Sequence, residues 1–171
     1  LSFTVVNYEL RYGKCQPKYK RMCHVVTKVK LADAMTYKPA VPFASLYALL
    51  LQMPGVLFAA INSNFGSQVT INNPGNASAD KKFIEETGLF FCEPKFFQVF
   101  NYTWLAGNAA VLDEPNTVVL TKKIADKYFG NWHQSINKFI NLDNALTLKV
   151  AGILQDLPLN TDFPLGVMIS F

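Results

Sequence analysis

Residues Asp113 to Gly130 read DEPNTVVLTKKIADKYFG. Asp113 to Asn116 holds Pro115 and reads as a turn. Thr117 to Leu120 is a β-branched run that predicts a strand. Thr121 stands where a hydroxyl can accept from the unpaired N–H groups of a first helical turn, so it is placed as the N-cap of a helix over Lys122 to Phe129. Ile124, Ala125, Tyr128 and Phe129 share one helical stripe and are expected inward. Gly130 is the residue type that leaves a helix through a left-handed backbone. The stretch spells a strand and a helix with care and places no obvious catalytic group on either.

The same patterning continues on both sides. Downstream, Lys138 to Leu142 and Leu146 to Gln155 flank Asp143-Asn144, a β-hairpin with a two-residue turn. Asp156 to Asp162 is a loop, and Leu165 to Phe171 is a last apolar strand. Upstream, His24 to Leu31 (HVVTKVKL) alternates as a strand with one buried face. A loop with Pro39 follows, then PFASLYALLLQM reads as a helix opened by Pro42 and closed before Pro54. Val56 to Ile61 can return as a strand, which makes a βαβ or split βαβ unit. Ser67 to Asn72 alternates again, with a turn at Asn73 to Asn76. Lys82 to Glu86 and Leu89 to Cys92 are two short strands, and Pro94 opens a short helix over KFFQVF. The class that follows is α+β, with mostly antiparallel strands and a few short helices.

Composition narrows the function. The chain has 171 residues, half of them hydrophobic and 16% charged. That charged share is below the usual quarter or so, which fits a surface partly covered by a partner, a second lobe or a membrane, or simply a Phe-rich core. The basic residues Arg11, Lys14, Lys18, Lys20, Arg21, Lys28 and Lys30 crowd the start. They read either as an attraction to anionic headgroups or as solvated strand edges, and the second is the more economical. Aromatic residues do not interleave with them, which argues against nucleic acid. Cys15, Cys23 and Cys92 are odd in number and widely spaced, against a disulfide framework, although a Cys15–Cys23 bridge fits the spacing. No run of about 18 apolar residues occurs. The chain opens LSFTVV without methionine and closes on an apolar strand, so it is expected to come from inside a longer protein.

The search for chemistry yields little. His24 and His133 are the only histidines. No HExxH, CxxC, GxSxG or glycine-rich phosphate loop occurs, so no metal, cofactor or nucleophile is expected. Glu85-Glu86, Asp113-Glu114 and Asp126 are the carboxylates that could pair, but each sits in a pattern that predicts exposure. Phe90-Phe91, Phe96-Phe97, Phe100, Tyr102 and Trp104 could line an apolar groove, though such density more often makes core. Asn76-Ala77-Ser78 and Asn101-Tyr102-Thr103 match the glycosylation pattern and carry no weight alone. Trp132 lies in the polar context GNWHQS, whose neighbours predict exposure, although the ring could equally fold back onto its own lobe. With His133 it forms the candidate contact pair for a partner or substrate.

Four segments in order carry a resemblance: FFQVFNYTWLAGN (96–108), LDEPNTVVLTKKIADKYFGN (112–131), INKFINLDN (136–144) and LTLKVAGILQDLPLNTDF (146–163). Together they resemble the extracytoplasmic core domain of ABC transporter permeases of the macrolide-exporter (MacB) and FtsX type, in versions typical of Bacteroidetes-like bacteria. Tyr8-Glu9-Leu10 with Tyr12, and YKRMCHVVTK (19–28), are similar to the family's lead-in and first strand. One departure is Asn137, which stands for the glycine of the family's I-G-K turn; asparagine also tolerates a left-handed backbone. The Trp132-His133 pair is a second departure.

The resemblance implies one extracytoplasmic domain in a cell inner membrane permease, on the periplasmic side. It implies a juxtamembrane lead-in (1–23), a porter-like βαβ lobe (24–100 and 157–171) and an inserted β-rich lobe (101–156). The domain would be non-enzymatic and without cofactors, and would couple cytoplasmic ATP hydrolysis to export or lipoprotein release. Its partners would be its own transmembrane helices, a cytoplasmic ATP-binding subunit or domain, and a periplasmic partner, lipoprotein or small-molecule substrate, in a dimeric permease. A secreted or surface ligand-binding or adhesion module is the alternative. The cut-looking ends favour the permease.

Overall fold

A computed structural model describes residues 25–31, 34–38, 55–57, 59–72, 80–157, 161 and 163–171. The expected helix of 42–53, the turn of 73–76, the lysines of 14–20, Cys15, Cys23 and His24 lie outside these residues. Thr27–Leu31 (β1) and Ala34–Lys38 (β2) pair antiparallel as a separate two-stranded sheet. The other described strands form one nine-stranded sheet. They are Ile61–Asn64 (β3), Ser67–Ile71 (β4), Lys81–Glu85 (β5), Leu89–Cys92 (β6), Trp104–Ala106 (β7), Thr117–Thr121 (β8), Phe139–Leu142 (β9), Leu146–Leu154 (β10) and Val167–Ser170 (β11). Phe96–Val99 (α1) and Lys122–Phe129 (α2) are the described α-helices. The fold is α+β with mostly antiparallel pairing; β8 with β10 and β6 with β11 run parallel.

The sheet order is β3-β6-β11-β8-β10-β9-β4-β5, with β7 on β10. β3 and β4 stand near opposite ends of that order, yet only Phe65 and Gly66 separate them. The registers Ile61↔Cys92 to Asn64↔Leu89 and Ser67↔Glu85 to Ile71↔Lys81 explain this. They describe one long antiparallel ribbon that kinks at 65–66 and 86–88. Its two halves border opposite flanks of the sheet, β6 against β11 and β4 against β9. The sheet therefore curls on itself, which shelters strand edges that would otherwise invite pairing with another chain.

Curling gives the sheet two differently filled faces. The enclosed face draws Val69, Leu89, Val118, Leu120, Ile140, Leu148 and Val167, among others, from β4, β6, β8, β9, β10 and β11. Ala125 and Tyr128 of α2 pack onto it. The opposite face carries Phe90, Cys92, Val119 and Met168 under Phe96, Leu112 and Leu165. TVVLT is thus buried on both sides, which is why it reads as a continuous apolar run rather than an alternation. The Phe-rich cluster is core. Phe96 is fully buried, 4.6 Å from Phe100 and 5.4 Å from Phe97 between ring centroids, with Phe163 edge-on at 6.1 Å.

Several sequence expectations shift. The first strand begins at Thr27, and its partner β2 was not foreseen. Val56 and Leu57 are exposed and the strand assigned to them starts at Ile61. β7, read only as part of an aromatic cluster, pairs with β10. In the β9–β10 hairpin Asp143 and Asn144 both take positive φ (50° and 55°), while Leu142 pairs with Leu146 and leaves Ala145 as an extra loop residue. Asn137 has φ 64°, so it does adopt the left-handed backbone of the glycine it replaces.

Candidate functional site

The loop that holds Trp132 and His133 is built by the end of α2. Gly130 has φ 80°, and its N–H donates to the Asp126 carbonyl at 2.8 Å. Asp126 then does two further things. One carboxylate oxygen pairs with Lys122 at 2.7 Å and the other accepts from the Trp132 N–H at 2.8 Å. The Lys122 hydrogen bond first, then the Trp132 N–H, hold the Asp126 carboxyl below its ordinary range. A depressed carboxyl stabilises the fold at pH above its ordinary range and loses that contribution as pH falls, a small effect for a carboxylate this open to water. The Asn131 side chain accepts from the His133 N–H at 3.0 Å and opens the short 3-10 turn Trp132–Gln134.

The two aromatic rings stack, with centroids 3.7 Å apart and planes 28° from parallel. Trp132 is half-buried and leans on the enclosed core, while His133 is exposed. Of the two placements the sequence left open, exposure or a fold back onto its own lobe, the ring takes the second in part: Asp126 fixes the Trp132 backbone and the indole rests against the core. The pair is a rigid, partly exposed platform that can stack and hydrogen-bond.

The cap of α2 also differs from expectation. Thr121 occupies the N-cap position with extended φ and ψ, but its side chain makes no capping bond. Asp156, two residues past the end of β10, accepts from the Lys123 N–H at 2.7 Å. The helix start is held from across the sheet. Asp156→Ala should cost about 1 kcal/mol, the usual worth of a cap, and lower the melting temperature by about 2–4 °C for a chain of this size. Thermal denaturation of the purified chain measures it.

Among the candidate carboxylates, Glu86, Asp113 and Glu114 are exposed as expected. Glu85 is not; it is 8% exposed. Its Oε1 accepts from the Tyr128 hydroxyl at 2.8 Å and from Lys127 Nζ at 2.6 Å. Its partners are a phenol and a cation rather than a second acid, so the arrangement is a clasp between α2 and the ribbon kink. The signal was present in KKFIE, where alternation puts Phe83 and Glu85 on one face. Among the described residues no group of three His, Cys, Asp or Glu could hold a metal ion. Cys92 is buried, and burial followed by the nearby Glu93 pushes its thiol up to about 12. No described helix is long and apolar enough to cross a membrane.

Comparison with known proteins decides the family. The family model of the MacB-like periplasmic core domain matches residues 4–171. The chain belongs to that family. It is accordingly a periplasmic domain of a MacB-like ABC transporter permease, on the extracytoplasmic side of a membrane protein. A search of curated proteins finds no match. Among solved structures it is similar to a domain of a permease protein from Porphyromonas gingivalis, with TM-score 0.57 and 20% identity over 72% of this chain and 54% of that one. It is also similar to the periplasmic region of MacB from Actinobacillus actinomycetemcomitans, with TM-score 0.50 and 18% identity over 71% of this chain and 52% of that one. At such identities the likeness concerns the fold. The chain spans about half the length of each of these two structures.

Proposed function

We propose that this domain relays motion between the membrane part of a permease and what the permease exports, with no chemistry of its own. The observation that carries the reading is the family match over nearly the whole chain. The sheet suits the role. Strands from 101–156 (β8, β9, β10) and from its flanks (β4, β6, β11) share one hydrogen-bonded sheet. A porter-like lobe of 24–100 with 157–171 and an insert of 101–156 would then move as one rigid body. In this reading ATP is hydrolysed by a cytoplasmic subunit or domain, the full permease is a dimer of the inner membrane, and the cargo is a lipoprotein or small molecule. Trp132 and His133 are its contact platform.

The test uses the intact permease with its ATPase. His133→Ala alone, and with Trp132→Phe, should lower export several-fold while ATP hydrolysis continues and the melting temperature of the domain stays within a few degrees. Unchanged export would remove the platform from the reading. The purified 171-residue chain should show no ATP turnover, since it holds no phosphate loop. Turnover that copurifies with the chain would overturn the relay.

A further inference from the structure

We propose that one face of the β1–β2 hairpin lies against anionic lipid headgroups. Alternation along β1 puts Val26, Lys28 and Lys30 on the same face. The register sets Met35 of β2 directly across from Lys30. All four are exposed, Val26 by 44% and Met35 by 57%, whereas Val25, Thr27 and Thr36 of the other face are half-buried. Among the side chains described, that face interleaves two ammonium groups with two apolar groups, and the register sets Tyr37 across from Lys28 on it. Water alone gives such a face nothing for Val26 and Met35. At a lipid interface the apolar groups sink to the level of the acyl boundary while the lysine stems lie along it and their charges meet phosphates.

The charge map selects the anionic surface. Residues 1–38 hold eight Lys or Arg against two Asp or Glu, a net +6; residues 39–171 hold eight against ten, a net −2. A negatively charged membrane attracts residues 1–38 more than the rest, and the hairpin's own segment shares that sign, with Lys28, Lys30 and Lys38 against Asp33. Each lysine near such a surface contributes about a fivefold gain in partitioning. The proposal rests on the membrane setting of the family and is independent of the relay.

Sedimentation of the 171-residue chain with vesicles tests it. At low salt the chain should bind vesicles of one part phosphatidylglycerol to three parts phosphatidylcholine, and bind pure phosphatidylcholine weakly. High salt should release it, because exposed charges are screened beyond about 10 Å at 0.1 M and beyond about 3 Å at 1 M. K28E with K30E should reduce binding by about tenfold or more at an unchanged melting temperature, and M35S several-fold. An environment-sensitive dye on M35C, in a C15S/C23S background, should shift to the blue only with phosphatidylglycerol. Three results would overturn the proposal. They are no binding at all (leaving the face to an acidic protein), equal binding to both vesicles, and binding indifferent to K28E with K30E (giving it to the cations of 11–21).

Discussion

Gly88→Ala is expected to destabilise the domain by about 3 kcal/mol or more. Two costs add. Gly88 has φ 85°, where an L side chain is strained by about 1–2 kcal/mol. A Cβ there would also lie 2.7 Å from the Pro164 carbonyl oxygen, a backbone atom that cannot step aside. Overpacking of this kind costs about 1–3 kcal/mol. The backbone around Gly88 is committed as well, since its carbonyl accepts from the N–H groups of Gly166 (2.8 Å) and Val167 (2.9 Å). These bonds fasten the ribbon kink to the start of β11. Gly130→Ala is the control. Its φ is nearly the same, 80°, but nothing lies within 4 Å of the added Cβ. It should cost only the strain, about 1–2 kcal/mol. In thermal denaturation the two variants should be separated by several degrees, at about 2–4 °C per kcal/mol. Equal losses would mean that the kink yields and does not hold the ribbon in place.

What could be read from sequence was what depends on neighbours in the chain. α2 runs from Lys122 to Phe129 as its stripe and its Gly130 stop require, and β6 spans Leu89–Cys92 as its apolar run suggests. The α+β class follows from the same periodicities. Features set by distant parts of the chain were not legible. The curl depends on the registers of β4 with β9 and β6 with β11, which no local pattern states. The cap of α2 was assigned to Thr121 because it is adjacent, but Asp156 arrives from 33 residues away. β7 has three residues, too few for alternation to announce itself, and the five of β2 (AMTYK) carry no clean apolar–polar alternation. At the candidate site Asn131, His133 and Gln134 face solvent as their polarity suggests, while Ser135 is buried. The indole is half-buried against the core, a placement that depends on the folded helix end, where Asp126 holds the Trp132 backbone N–H.

Glu85 is the sharpest of these misreadings, and its clasp makes the second large prediction. Tyr128→Phe should cost about 2 kcal/mol, the worth of a hydrogen bond to a charged group. The ring stays: Phe83 remains 4.9 Å away and the Lys127 ammonium 5.8 Å above it, so only the hydroxyl is lost. The Glu85 carboxylate would keep Lys127 alone, and that lysine side chain is 41% exposed and shared with water. Glu85→Gln tests the same bond from the other side, and the double variant should cost less than the sum of the singles, because both remove one contact. Alkali gives a further signature. Burial, and then the Glu85 hydrogen bond and charge, raise the Tyr128 hydroxyl above its ordinary 10.0. A raised folded value stabilises fully below pH 10.0 and is lost as pH climbs past it, since the unfolded chain sheds its proton first. The gap between wild type and Tyr128→Phe should therefore be widest from neutral pH to about 9 and shrink above 10, as read in urea midpoints. A gap that stays constant with pH would show that the phenol contributes only through packing. The clasp joins α2, which carries the Trp132–His133 platform, to the kink where the ribbon passes from one flank of the sheet to the other. Under the proposed relay, a displacement at the Trp132–His133 turn would reach the ribbon through Glu85, so Tyr128→Phe should soften that link before it unfolds the domain.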